Sequence, residues 1–113
     1  MPGNVMVIQT RSAFKEYLKT HPNLIVKFTA TWCGPCKVAK PIVEKYFEQC
    51  NHIFDMVIVD ADNGRDLVNF LKVKAFPTLC SFVNGGVCHS VIGAIDNEIL
   101  EFFKVTVKKY MEK

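Results

Sequence analysis

Two cysteines separated by two residues, Cys33-Gly34-Pro35-Cys36, are the side chains best suited to chemistry in this sequence. Such a pair can carry reversible dithiol–disulfide exchange, because a thiolate is the nucleophile and the spacing lets the two sulfurs meet across one helical turn. The run Leu24 to Thr29 before the pair is apolar or β-branched apart from Lys27, as in a central strand covered on both faces. A helical pattern follows the pair, so Cys33 is expected at the mouth of a helix. Unpaired N–H groups and the positive end of the helix dipole would favour a thiolate there. Cys36, one turn further in, is expected to be the more buried and more protonated thiol. Pro35 suits a first helical turn, where no amide donor is required, and it stiffens the loop.

A C-x-x-C can also be half of a zinc site, which needs two further ligands. The other candidates, Cys50, His52, Cys80, Cys88 and His89, offer no second close pair of the usual kind, so no metal is expected. Cys80 and Cys88 fall on two strands joined through Asn84-Gly85-Gly86, a hairpin signal. A two-residue turn would point them to opposite faces of the sheet. A three-residue loop would leave them diagonal, roughly 7–8 Å apart, so no bridge is expected in either case. Cys80 reads as a buried small hydrophobe, and Cys50 or Cys88 as a candidate exposed, regulatory thiol.

The elements that must position the cysteines follow from the spacing of apolar residues. Val5 to Ile8 reads as a short strand. Phe14, Tyr17 and Leu18 recur at helical spacing until His21-Pro22-Asn23 stops the helix. After the cysteine pair, Val38, Ile42 and Tyr46 or Phe47 form an expected buried stripe, with a kinking Pro41 inside the helix. Phe54 to Val59 is a buried-strand run, and Leu67, Phe70 and Leu71 mark a short helix started by Asp62 or Asn63. Strands at Thr78–Val83 and Val87–Ile92 form the hairpin. A last helix is expected to begin with Asp96 as its N-cap and an Ile95–Leu100 staple, with Ile99, Leu100, Phe103 and Val107 facing the core. Lys104, Lys108 and Lys109 would favour its negative C-terminal end. The order βαβαβα, then hairpin, then helix, implies parallel pairs joined to an antiparallel hairpin in a mixed sheet with helices on both faces.

The bulk numbers set limits. A length of 113 residues fits one domain, 1–113, large enough to hold a core without a disulfide or metal staple. Half the residues are hydrophobic and 22% are charged, which excludes a disordered chain. The net charge of +3 comes from scattered lysines, a solvated surface rather than a nucleic-acid patch. No apolar run approaches the roughly 20 residues of a membrane span. Met1-Pro2-Gly3-Asn4-Val5 carries no signal-peptide pattern, and five irregularly spaced cysteines do not form a secreted framework. The expectation is a cytoplasmic chain whose thiols are mostly free.

Trp32-Cys33-Gly34-Pro35-Cys36-Lys37 resembles the active-site signature of the thioredoxin family, and the likeness runs along nearly the whole chain. The resemblance implies a thioredoxin fold, an α/β three-layer α/β/α arrangement whose central mixed sheet has four to five strands and about four helices. It makes Phe76-Pro77-Thr78 similar to the family's cis-proline segment, with Pro77 beside the cysteines and the Phe76 backbone pairing with an extended substrate. Gly93-Ala94 is similar to the glycine that lets a substrate chain approach. With Trp32, Gly34, Pro35, Pro41, Ala75 and Phe76, these residues would make a flat apolar docking patch. The implied activity is protein-disulfide reduction by a monomer that binds no cofactor. Cys33 would attack and Cys36 resolve, with electrons arriving from NADPH through a flavoenzyme thioredoxin reductase.

The sequence departs from the family beneath the motif. The aspartate usual six residues before the first cysteine is Lys27, the neighbouring lysine is replaced by Ile58, and the aromatic four places before the cysteine is Thr29. Lys27 either packs its stem and snorkels, or keeps an amine beneath the motif. In the second case burial would lower its pKa and a carboxylate such as Asp60 would raise it. An oxidase or isomerase on the same fold, and a binding module in which the dithiol is incidental, remain as alternative functions. Gly34-Pro35 favours the reducing direction.

Overall fold

In the computed structural model, which describes residues 4–112, the elements run β1 (Val5–Val7), α1 (Arg11–Thr20), β2 (Leu24–Thr29), α2 (Gly34–Glu48), β3 (Asp55–Asp60), α3 (Arg65–Phe70), β4 (Thr78–Val83), β5 (Gly86–Ile92) and α4 (Asp96–Met111). Met1 to Gly3 and Lys113, to which the readings of the N-terminus and of the last lysine partly refer, lie outside the described residues. The strands form one mixed sheet in the order β1-β3-β2-β4-β5. The pairs β1–β3 and β2–β3 are parallel, while β2–β4 and β4–β5 are antiparallel. This is the mixed sheet that the order of elements implies, and the thioredoxin fold that the family resemblance implies.

Strand alternation divides the core into two layers. Leu24, Val26 and Phe28 of β2 join Phe14 of α1 and Leu67 of α3 on one face. Ile25 meets Ala39, Val43 and Phe47 of α2 and Ile99, Phe102 and Phe103 of α4 on the other. Lys27, two residues after Ile25, belongs to this second face. The hairpin turns through Asn84 and Gly85, both with positive φ (53° and 85°), as a two-residue type I′ turn requires. Cys80 consequently packs with the α1/α3 layer and Cys88 with the α2/α4 layer, so they point to opposite faces.

Several local expectations are corrected. The buried stripe of α2 is Cys36, Ala39, Val43 and Phe47, with Val38 58% exposed. Cys33 fixes the start of the helix as its N-cap, which turns Cys36 inward and moves the Val38 row to the rim. The N-cap of α3 is Gly64, not Asp62 or Asn63. The Asp60 carboxylate already accepts from the Asn63 amide at 3.0 Å, closing the turn one step earlier. Helix α4 is capped by Ile95, which is exposed and so forms no staple with Leu100. Asp96 sits inside the first turn, where Lys45 and Tyr46 of α2 hold its carboxylate and leave it unavailable as a cap. Phe102, fully buried, joins the α4 core face without having been singled out by spacing.

Gly64 is held tightly at the turn into α3. A Cβ there would lie 2.6 Å from Val59 Cγ1, 2.7 Å from Gln9 Oε1 and 2.8 Å from the Asp60 carbonyl oxygen. Backbone and a fully buried valine have little room to yield, so Gly64→Ala is expected to destabilise the protein by about 1–3 kcal/mol in urea unfolding. An unchanged midpoint would show that the turn relaxes freely.

Candidate active site

Strand β2 ends at Thr29, and four residues later the chain has turned into α2. Ala30 lies buried under the turn, its carbonyl accepting from the Cys33 amide at 3.3 Å. Cys33 is the N-cap of α2, with extended backbone (φ −98°, ψ 111°), and its Sγ accepts the Cys36 amide at 3.2 Å. Pro35 occupies the second helical position, where its missing donor costs nothing. Cys33 and Cys36 are joined as a disulfide with their Cα atoms 5.3 Å apart. In the dithiol state the same amide and helix terminus would stabilise a thiolate on Cys33.

Burial of the two cysteines differs from the expectation. Cys33 is 5% exposed and Cys36 6%, so in the disulfide neither is the more accessible by residue area. Ala30, Ala61 and the half-buried Phe76 enclose them. What distinguishes the sulfurs is direction of support, since only Cys33 Sγ sits at the capping position.

The Phe76–Pro77 bond is cis, matching the expectation for this segment. It places the Phe76 carbonyl oxygen 3.5 Å from Cys33 Sγ. Thr78 Oγ1 donates to the Ala75 carbonyl at 2.7 Å, and the Gly93 amide donates to the Pro77 carbonyl at 2.9 Å. These two bonds tie Ala75 to Thr78 and Gly93 to Pro77, while Phe76 makes the segment's contact with the cysteines. Gly93 has φ +104°, a conformation that favours glycine, and no atom lies within 4 Å of where its Cβ would stand. Ala94 is half-buried and packs back on the α2/α4 core, so of the expected pair Gly93 is the one left open. Trp32, 64% exposed, meets Phe76 edge to face at 6.0 Å. Its indole N–H donates to the Asp62 carboxylate at 3.2 Å. Asp62 is a site residue that sequence reasoning took only for a helix start; nothing in spacing alone links residues 32 and 62. Gly34, Pro35 and Pro41 are exposed on α2.

Lys27 is 8% exposed and buried on the α2 side of the sheet. Burial lowers its pKa most, the Glu44 carboxylate of α2 raises it, and the Lys40 ammonium lowers it further. Asp60, the expected carboxylate partner, is opposite Thr29 rather than Lys27 and accepts from Asn63, so Glu44 takes that place. Ile58 stands directly opposite Lys27.

The remaining thiols differ in their burial. Cys50 is buried, which corrects the reading of an exposed regulatory thiol. Burial pushes it up to about 11, and burial together with the neighbouring Cys88 pushes Cys80 up to about 11 as well. At pH 8 such thiols are ionised to only about one part in a thousand. Ellman's reagent is therefore expected to reach the half-buried Cys88 first in the native disulfide form, at least about tenfold faster than Cys50 or Cys80. Equal rates at all three would contradict this environment.

No group of three or more His, Cys, Asp and Glu side chains able to hold a metal occurs among the described residues. Among them also, no helix is long and apolar enough to cross a membrane. A disulfide at a helix N-terminus, flanked by a cis-proline segment, can exchange two electrons with another dithiol.

Comparison with known proteins agrees. The thioredoxin family matches residues 5–105. Thioredoxin-1 of Saccharomyces cerevisiae is 38% identical over 90 residues, covering 80% of this chain and 86% of its own. Thioredoxin Y, chloroplastic, of Oryza sativa subsp. japonica is 35% identical over 95 residues, and there 82% of this chain spans only 56% of the relative. The crystal structure of thioredoxin from Trypanosoma brucei brucei superposes with a TM-score of 0.82 at 26% identity, covering 96% of this chain and 95% of that one. By motif, fold and relatives, the chain belongs to the thioredoxin family, with Cys33 and Cys36 as its dithiol–disulfide pair.

Proposed function

We propose that this chain is a protein-disulfide reductase in which Cys33 attacks and Cys36 resolves. The Cys33 thiolate attacks one sulfur of a client disulfide, the other client sulfur leaves as a thiolate, and a mixed disulfide forms. Cys36, deprotonated, then attacks Cys33 Sγ and releases the second client thiolate. The client gains two electrons and two protons, and the chain becomes the Cys33–Cys36 disulfide. The observation that carries this assignment is the capping position of Cys33 Sγ, which receives the Cys36 amide.

The Phe76 and Gly93 backbones would take an extended client segment, and Trp32, Gly34, Pro35, Pro77 and Ala75 would form the apolar rim around it. Asp62 would hold Trp32 in place through the indole hydrogen bond. Electrons would be supplied by NADPH through a flavoenzyme thioredoxin reductase, with the chain working as a single-domain monomer. Three unpaired thiols, two of them held protonated, suit a reducing compartment such as the cytoplasm.

NADPH-driven insulin reduction with a thioredoxin reductase, combined with a measured reduction potential, tests the proposal. Turnover with a potential near about −270 mV is expected, whereas a value near about −180 mV would assign an isomerase instead. Absence of turnover with any reductase would leave only a binding module.

A further inference from the structure

We propose that a groove between the C-terminal end of α2 and the second half of α4, away from the cysteine pair, binds a single-chain anionic amphiphile of the fatty-acid class. The groove has a volume of about 500 Å³, within the roughly 300–1,000 Å³ typical of small-molecule sites. On α4 its wall is built from Leu100, Phe103 and Val107, and the segment after α2 contributes Ile53. These side chains are buried or half-buried. None of the large apolar residues that stand out from the surface, such as Trp32, Ile92 or Met111, lines the groove. An open apolar groove beside a pair of cations suits a narrow acyl chain with an anionic head.

The charged rim of the groove along α4 is one-signed. Lys104 and Lys108 line it one helical turn apart on α4, following Leu100 in the same row, and no carboxylate lines it. Both lysines are exposed and available to a ligand. Lys108, in the last turn, also complements the α4 dipole. Lys104 lies too far from the helix end for that effect, which fades within a turn. The floor adds no negative charge, because the buried Cys50 thiol donates to the Tyr46 carbonyl at 3.8 Å and stays protonated. Carbonyls at the end of α2 are occupied as well: those of Tyr46, Phe47 and Cys50 accept from the amides of Gln49, Cys50 and Ile53. A carboxylate head would therefore rest on the α4 side with its chain along Leu100, Phe103 and Val107.

Titration of the isotope-labelled, oxidised full chain with dodecanoate, below its micelle concentration, tests this by amide chemical shifts. Saturable shifts are expected at Ile53, Leu100, Phe103 and Val107. The double variant K104E/K108E should weaken binding by about tenfold or more. K104Q/K108Q should weaken it less, and dodecyltrimethylammonium should not bind. Insulin reduction should be the same in wild type and both variants, since neither lysine belongs to the exchange site. No saturable binding, shifts centred on Trp32 and Ile92, or affinity indifferent to the charge reversal would each overturn the proposal.

Discussion

Cys36→Ser is expected to stop turnover at a covalent adduct, with Cys33 left joined to its client. Cys33 Sγ occupies the N-cap of α2, receives the Cys36 amide and lies 3.5 Å from the Phe76 carbonyl, where a client strand would pair. Serine at position 36 is too weak a nucleophile to release the mixed disulfide. The adduct should appear by mass spectrometry and vanish on treatment with dithiothreitol. Cys33→Ser should form no adduct and should lose insulin reduction by at least about 10³-fold, the scale expected when a nucleophile is removed. An adduct in Cys33→Ser would reverse the two roles, and continued turnover in Cys36→Ser would remove Cys36 from the resolving step. The fold should survive both substitutions, because the α1/α3 and α2/α4 cores are independent of the disulfide.

The parts of this site that were legible in the sequence are those with a local physical cause. The strand Leu24–Thr29, the helix opening at Gly34-Pro35 and the Asn84-Gly85 turn each depend on residues within a few positions, and all form as their patterns imply. The Phe76-Pro77 segment came from family likeness, and its contact with Cys33 spans 43 residues. Asp62 and Trp32 are 30 residues apart, and an aspartate in a polar loop gives no sign of which indole it will meet. Helix starts were misplaced where a better partner took the capping side chain, as Lys45 and Tyr46 do for Asp96. On α2 the fully buried row is Cys36, Ala39, Val43 and Phe47, Ile42 and Tyr46 pack half-buried beside it, and of the expected stripe Val38 alone is exposed. Apolar spacing does not show where the N-cap at Cys33 sets the helix face. The electrostatic partner of Lys27 was misassigned for a related reason. Asp60 is on the neighbouring strand, but the face of β2 that carries Lys27 is covered by α2, which brings Glu44 and Lys40.

That placement makes Lys27→Met the substitution that separates packing from proton transfer. Burial lowers the proton affinity of the Lys27 amine below its ordinary 10.5 in the folded chain. Between the folded value and 10.5 the unfolded chain holds the extra proton, so this contribution to stability rises with pH through that window. Below the window the folded chain carries the full cost of an ammonium that is 8% exposed. Lys27→Met keeps an apolar stem without the charge. In the disulfide form it should therefore be more stable than wild type at pH 7, with the advantage shrinking as pH approaches 10.5. The kinetic expectation has the opposite sense. An amine whose pKa is lowered by burial gives up its proton more readily than a free lysine, and so could relay one during resolution by Cys36. Its loss should slow single-turnover resolution by roughly tenfold at pH 7, less than the 10²–10⁴-fold of a base in direct contact. The difference should close above about pH 8.5, where a thiol ionises unaided. Rates that match wild type from pH 6 to 9, together with the gain in stability, would reduce Lys27 to a packing residue. A slowed rate that recovers with pH makes it the proton acceptor at the position where the family usually carries an acid.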